Sequence, residues 1–188
     1  FNTPVCVALP DSINAWRPLR LVETTDEKSI PTPSQVEPSA PEKLWWILTG
    51  DTPPATTRTY QLFQAFPVKA TGVELTFTAE TMNVSMNGAK LFTYNHDHVI
   101  PPEGVPPAYI RSGYIHPLFS PSGKLVTEDF PGDHHHHKGI WFPWTNTEFE
   151  GRKVDFWNLK KEQGTVQFAG FDSVENGAVY GRVLVDHE

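Results

Sequence analysis

The sequence is short of three things: cysteine, long apolar runs and clustered positive charge. Cys6 is the single cysteine, so the chain can form no internal disulfide and has no Cys-x-x-Cys pair for zinc or haem. We expect Cys6 to be a small buried residue. The longest apolar run covers residues 44–48, whereas a membrane-spanning helix needs about 20 residues. Lys and Arg number 15 against 22 Asp and Glu, for a net charge of −7 without a basic run, which argues against nucleic acid as a partner.

The sequence does contain many Pro and Gly residues, which interrupt regular secondary structure, together with large aromatic side chains. Its 188 residues include 18 Pro and 13 Gly, and aromatic residues make up 12% of the chain. So many breakers would interrupt long helices, whereas short strands joined by ordered loops tolerate them. The composition therefore predicts an all-β chain of antiparallel strands, arranged as a β-sandwich, with residues 1–188 forming a single β domain.

Local patterns place one hairpin and several further strands. Asn87-Gly88 lies between two strand-like runs, and both central residues of the type I′ turn that this pair predicts take positive φ. The strands are expected at 4–9, 18–24, 43–49, 55–66, 72–79, 82–94 (the hairpin), 112–119, 138–144, 163–171 and 178–185. Residues 152–163 fit a helix or a strand equally well. The Pro-rich segment 31–41 is either a linker between two small domains or, as we prefer, an ordered connection within one sandwich.

Seven of the eight histidines lie between positions 96 and 137, which makes this region the candidate site. His96 and His98 would share one face of a strand and could then chelate a metal, but the prolines that follow favour a loop. Arg111 and His116 are an odd number of positions apart, so a regular strand would put them on opposite faces. A bulge at Gly113 would be needed to bring both side chains into one pocket.

The densest cluster is Asp133 followed by four histidines at 134–137, with Trp141 and Trp144 close behind. In an extended chain the first and third imidazoles point one way and the second and fourth the other, so a pocket would receive two of them unless the loop turns. Neutral imidazole can transfer a proton or ligate a metal near neutral pH, and Asp133 could orient a ring, act as a base or bind a metal. A histidine-rich surface loop is the alternative interpretation.

Charged and aromatic residues are mixed again between positions 148 and 158. This segment contains Asp155 and Trp157 beside Arg152 and Lys153. Rings that stack on the C–H faces of a sugar, next to carboxylates and amides that bind its hydroxyls, are typical of a carbohydrate-binding surface. An aromatic core with charged residues at its edge would give the same composition.

Taken in order, these segments resemble the PmoA-like family of uncharacterised bacterial proteins, labelled methane oxygenase PmoA and also described as a domain of unknown function. The motifs that carry the resemblance lie at 2–5, 44–46, 111–118, 120–123, 129–131, 133–137, 139–141 and 151–158. The family has Pro at the position of His135 and Arg at that of Lys138, so we expect His135 to be the dispensable imidazole. The resemblance implies a supersandwich like that of galactose mutarotase. It also implies that this chain corresponds to the N-terminal half of longer family members.

Three functions compete on this evidence. The first is a carbohydrate-active protein in which imidazoles carry out acid–base chemistry on a sugar or glycoside. The second is a metal-dependent hydrolase or oxygenase, with a divalent metal held by His134 and His136 together with a carboxylate. The third is a non-catalytic module that binds glycans or assembles with other chains.

The predicted site combines two sets of residues. The candidate catalytic residues are His116, Asp133, His134, His136 and His137, and the candidate substrate-binding residues are Arg111, Trp141, Trp144, Asp155 and Trp157. The expected partners are a small molecule or glycan, together with the C-terminal remainder of the family fold or another chain. We expect any targeting peptide to have been removed or never included, and prefer a secreted or periplasmic location to a cytoplasmic one.

Overall fold

The computed structural model of the chain describes residues 2–25, 27–68 and 72–188, and within them the chain forms fourteen β-strands and three short 3-10 helices. The strands are β1 (Thr3–Ala8), β2 (Leu19–Thr24), β3 (Ser29–Thr32), β4 (Ser34–Glu37), β5 (Lys43–Leu48), β6 (Thr59–Gln64), β7 (Val73–Phe77), β8 (Thr81–Met86), β9 (Ala89–Asn95), β10 (Tyr114–Leu118), β11 (Thr147–Phe149), β12 (Arg152–Val154), β13 (Phe168–Glu175) and β14 (Arg182–His187). The 3-10 helices are Asp11–Trp16, Pro107–Tyr109 and Leu159–Lys161. The registered strand pairs are antiparallel, which confirms the all-β prediction. None of the helices in these residues is long and apolar enough to cross a membrane.

The chain divides into two compact units, of which the first contains Phe1–Val73 and Asn176–Gly181. Its two three-stranded sheets have the strand orders β1-β5-β4 and β3-β2-β6. Leu19 and Leu21, two positions apart on β2, face the same side of their strand and bury their side chains in a leucine core. The prediction that residues 1–188 form a single domain stays a prediction.

Two features of the first unit bear on the expectations. The segment 31–41 contains the end of β3 and all of β4, so it is ordered, as the preferred interpretation expects, and it contributes strands to two sheets. Both strands lie at a sheet edge, where Pro is tolerated because no neighbour needs its missing N–H. The expectation that Cys6 is buried is wrong: it is exposed, because β1 is also an edge strand and none of its residues is buried.

The second unit contains Glu74–Glu175 and Arg182–Glu188. Its main sheet has the order β10-β9-β8-β7, and β11-β12 and β13-β14 form two further pairs. The β8–β9 hairpin turns at Asn87 and Gly88, whose φ angles are 53° and 79°. Positive φ at both positions is what a type I′ turn requires, so the hairpin prediction is confirmed.

Other elements of the second unit differ from the predictions. Residues 138–144 form no strand; they make single bridges from Lys138 to Asp129 and from Ile140 to Ile115. A strand cannot form there because successive residues pair with different parts of the chain. Residues 152–163 form β12 and then a single 3-10 turn, and β13 and β14 begin several residues later than predicted.

Gly88 provides a test of the turn geometry. A Cβ added to Gly88 meets no atom within 4 Å, so the cost of Gly88→Ala should come from the positive φ alone. We expect the free energy of unfolding to fall by about 1 kcal/mol in chemical denaturation. Gly170→Ala is the matched control, since that position is equally open and has no positive φ. Equal stability of the two variants would contradict the type I′ assignment.

Candidate functional site

The four histidines lie at the tip of a closed loop rather than in a strand. Asp129 and Lys138 pair across its base. Within the loop two turns follow each other: the His134 backbone N–H donates to Pro131 O at 3.0 Å, and that of His137 donates to His134 O at 2.9 Å. The loop therefore turns, which is the open alternative to an extended segment, and a backbone that turns twice does not alternate its side chains.

The turns bring three imidazoles and two indoles together. We call this group, His134, His136, His137, Trp141 and Trp157, the His–Trp cluster. The rings of His134 and His137 stack at a centroid distance of 4.9 Å, and His136 meets His137 edge-on at 4.5 Å. His137 lies 5.6 Å from Trp141 and 5.9 Å from Trp157, and the two indoles are 6.2 Å apart. The structure thus brings together five of the predicted site residues, which are the members of the His–Trp cluster.

His135 stands apart from the cluster. It occupies the second position of the turn 134–137, and its ring packs 6.2 Å from Tyr109 instead. This turn position is one that favours proline. Its separation from the other imidazoles agrees with the expectation that His135 is dispensable, although the cause is a turn and not strand alternation.

The charges of the loop distinguish the imidazoles from one another. The Asp133 Oδ2 lies 3.0 Å from His134 Nδ1, and this hydrogen bond is the main reason that the pKa of Asp133 is lowered. Burial lowers the pKa of His136 below its ordinary value, and the neighbouring His137 and His134 lower it further. The lowered pKa favours the neutral form of His136 at pH 7.

Trp141 adds an unused hydrogen-bond donor to the cluster. Its indole Nε1 is buried and has no acceptor among the residues that the structure describes. A buried N–H without a partner is uncommon in folded proteins.

Asp155 supports the cluster through hydrogen bonds within the protein. Its side chain is buried, with Oδ1 accepting from the backbone N–H groups of Trp157 and Asn158 at 3.1 and 2.9 Å. Oδ2 accepts from Asn158 Nδ2 and from Lys161 Nζ, both at 2.7 Å. The Lys161 hydrogen bond, with those of Asn158, holds the Asp155 pKa far below its usual range. Asp155 thus positions Trp157.

Arg111 has a similar positioning role. It is 1% exposed, and its guanidinium donates to Phe142 O and Phe156 O, each at 3.3 Å. These carbonyls belong to the residues that follow Trp141 and precede Trp157, so one cation holds the backbone of both indoles. Burial lowers the Arg111 pKa to about 10, which leaves it charged at pH 7.

His116 and Trp144 lie outside the ring contacts of the cluster. The His116 Nδ1 is 3.0 Å from Thr127 Oγ1, and among the described residues its ring stacks on no member of the cluster. Trp144 packs against Phe142 and Phe156 with ring centroids 5.4 and 6.4 Å away. These three aromatic residues line a separate apolar cavity of 590 Å³.

The sequence patterns did not predict a group of buried charged residues at the base of the loop. Lys138 is 0% exposed, with Nζ 3.4 Å from Asp129 Oδ1 and above the ring of Phe130. The Tyr114 hydroxyl donates to Asp129 Oδ2 at 2.8 Å. A lysine directly after a polar run is typical of a solvated loop, so its burial carries no local signal. Here it anchors the base of the histidine loop.

The Lys138 network should show in the pH dependence of stability. Burial lowers the Lys138 pKa to about 8, against 10.5 ordinarily, so between these values the unfolded chain binds more protons than the folded chain. The free energy of unfolding should therefore rise by about 1 kcal/mol from pH 8 to pH 9. Lys138→Met should lack this rise in denaturation curves at the two pH values. The same slope in both proteins would contradict the assignment.

No group of three or more His, Cys, Asp or Glu within 2–25, 27–68 and 72–188 is placed to hold a metal ion. His134 and His136 lie with ring centroids 5.7 Å apart. His96, the other candidate ligand, packs against Phe168 and Phe171 at 5.4 and 5.5 Å. His134, His136 and His137 thus contact one another through their rings, and His96 packs away from them on two phenylalanines.

The fold and the cluster define an all-β protein whose histidine loop presents three imidazoles beside two indoles. A family profile described as a family of unknown function (DUF6807) matches residues 81–188, which include every candidate site residue. Because this match covers more than half of the sequence, the chain belongs to that family. No curated protein and no solved structure matches the chain.

Proposed function

We propose that the chain is a carbohydrate-active protein in which the His–Trp cluster carries out acid–base chemistry on a sugar or glycoside. The observation that supports this most is the grouping of three imidazoles with two indoles on one surface. Indole faces bind the C–H faces of a sugar ring, and imidazoles transfer protons at neutral pH.

The roles within the cluster follow from their surroundings. His136 is the proton acceptor, because its lowered pKa keeps it neutral, and it takes a proton from a sugar hydroxyl or from water. His134, held through Nδ1 by Asp133, returns a proton to the leaving or ring oxygen. His137 stacks on His134 and spaces it from the indoles. His116 is kept as a candidate through its position at the base of the loop, where its Cβ would lie 3.0 Å from a Cβ at Gly139.

The proposal includes a specific fold and a specific family. We infer a galactose-mutarotase-like supersandwich and kinship with the PmoA-like proteins from the motifs, and the antiparallel sheets support this. The metal-dependent alternative has two imidazoles, His134 and His136, and no third ligand in the described residues. The non-catalytic alternative, a glycan-binding or assembly module, needs only the indoles.

The experiment is a titration of the chain with neutral mono- and oligosaccharides, followed by tryptophan fluorescence, with products analysed by NMR. We expect a change in emission that Trp141→Ala abolishes, together with turnover that survives dialysis against a chelator. The matched control is Trp144→Ala, which changes a tryptophan outside the cluster. Turnover that depends on one added divalent metal would favour the metal alternative, and binding without turnover the non-catalytic module. No binding of any saccharide to the cluster would overturn the proposal.

A further inference from the structure

A second cavity lies on the main sheet of the second unit, and the proposed function does not use it. Its volume is 510 Å³, within the range of about 300–1,000 Å³ that small-molecule sites occupy. Residues of β7, β8 and β9 line it, with Pro117 and Phe119 from the end of β10. The members on β7 and β8 are mostly polar, as expected for the face of the sheet opposite the buried Met82 and Tyr94.

Two breaks in strand register bend this sheet at the cavity. Phe92, on the central strand β9, pairs with Val84 of β8 and with Leu118 of β10. The register shifts next to both pairs, between Val84 and Ser85 and between Ile115 and Leu118. Bulges bend a strand, increase its twist and occur often beside binding sites. The two register shifts next to the pairs of Phe92 account for the concave shape of this face of the sheet.

The lining side chains match a neutral, hydroxyl-rich ligand. The Thr93 hydroxyl donates to Asn83 Oδ1 at 2.8 Å, which fixes the amide and leaves the lone pairs of Thr93 for a ligand donor. Glu74 and Lys90 add one charge of each sign, so the lining has no net charge. Phe119 supplies an apolar surface for C–H groups.

We propose that this cavity binds a neutral saccharide, and that it does so independently of the His–Trp cluster. An apolar ligand would cover the hydroxyls of Ser85 and Thr93 without offering them a partner, which is costly. A ligand with a net charge of either sign would meet one like charge, from Glu74 or from Lys90. A sugar offers donors and acceptors to the polar side chains and its C–H face to Phe119.

The test is a ¹H–¹⁵N NMR titration of the whole chain with neutral trisaccharides of glucose, galactose, mannose and xylose. We expect shifts at the amides of Ser85, Lys90 and Thr93. Thr76→Trp, which fills the cavity from an exposed position, should weaken this binding at least about ten-fold. The matched control is Thr56→Trp, an exposed threonine of the first unit, which should leave the affinity unchanged.

The signals separate this proposal from the proposed function, because the indole N–H resonances of Trp141 and Trp157 report on the His–Trp cluster alone. Shifts at the cavity without shifts at the indoles would support this site and count against the cluster. Shifts at the indoles alone, with none at the cavity for any trisaccharide, would overturn the cavity proposal. Equal weakening by Thr76→Trp and Thr56→Trp, or shifts with a neutral peptide but no sugar, would overturn it as well.

Discussion

Replacing Gly139 by Ala is expected to cost about 3 to 5 kcal/mol of the free energy of unfolding. A Cβ at position 139 would lie 2.0 Å from Ile115 O and 3.0 Å from the His116 Cβ, and the first of these is backbone that cannot rotate away. The two hydrogen bonds between Ile115 and Ile140, each 2.9 Å long, would have to break. This loss is a large part of the roughly 5 to 15 kcal/mol that stabilises a typical domain.

Chemical denaturation measures the effect directly. Gly132→Ala is the matched control, because it lies in the same loop and its new Cβ would meet no atom within 4 Å. We expect its stability to stay within about 1 kcal/mol of the parent chain. Since Gly139 joins the histidine loop to β10, Gly139→Ala should also abolish the fluorescence response to saccharides where the protein remains folded. Equal stability of the two variants would mean that the loop does not pack against β10 as described.

Replacing His136 by Gln should lower the rate of the proposed reaction by about 10² to 10⁴, while His135→Pro should leave it nearly unchanged. His136 contacts the other imidazoles and is the neutral acceptor, whereas His135 packs on Tyr109 and occupies a turn position suited to proline. The measurement is kcat/KM on the saccharide found to be turned over, with circular dichroism to check that each variant is folded. Equal losses in both variants would mean that the roles within the loop are assigned wrongly.

The pH profile gives this prediction a second readout. Burial lowers the His136 pKa, so the neutral base persists below pH 6.5 and the acid limb of kcat/KM should lie below that value. His136→Gln should remove this limb. A limb that is unchanged in His136→Gln would assign the proton transfer to another group, with His134 as the nearest candidate.

Features encoded by neighbouring residues could be predicted from the sequence. The hairpin at Asn87 and Gly88 was predictable because the turn needs positive φ at two adjacent positions, and few residues other than Asn and Gly adopt it readily. The antiparallel all-β class followed from the spacing of Pro, Gly and strand-forming residues. The local density of His and Trp also indicated residues whose rings lie in contact, namely His134, His136, His137, Trp141 and Trp157.

The tertiary structure decided which of those side chains meet, because the deciding contacts join residues far apart in the chain. Arg111 reaches the carbonyls of Phe142 and Phe156, and these contacts make it a buried support instead of a ligand contact. The Asp129–Lys138 bridge closes the loop, and the two turns inside it group three imidazoles, where strand alternation would give two. Local patterns determine turns and strands through backbone preference, whereas burial, pairing and pKa depend on neighbours that only folding brings close.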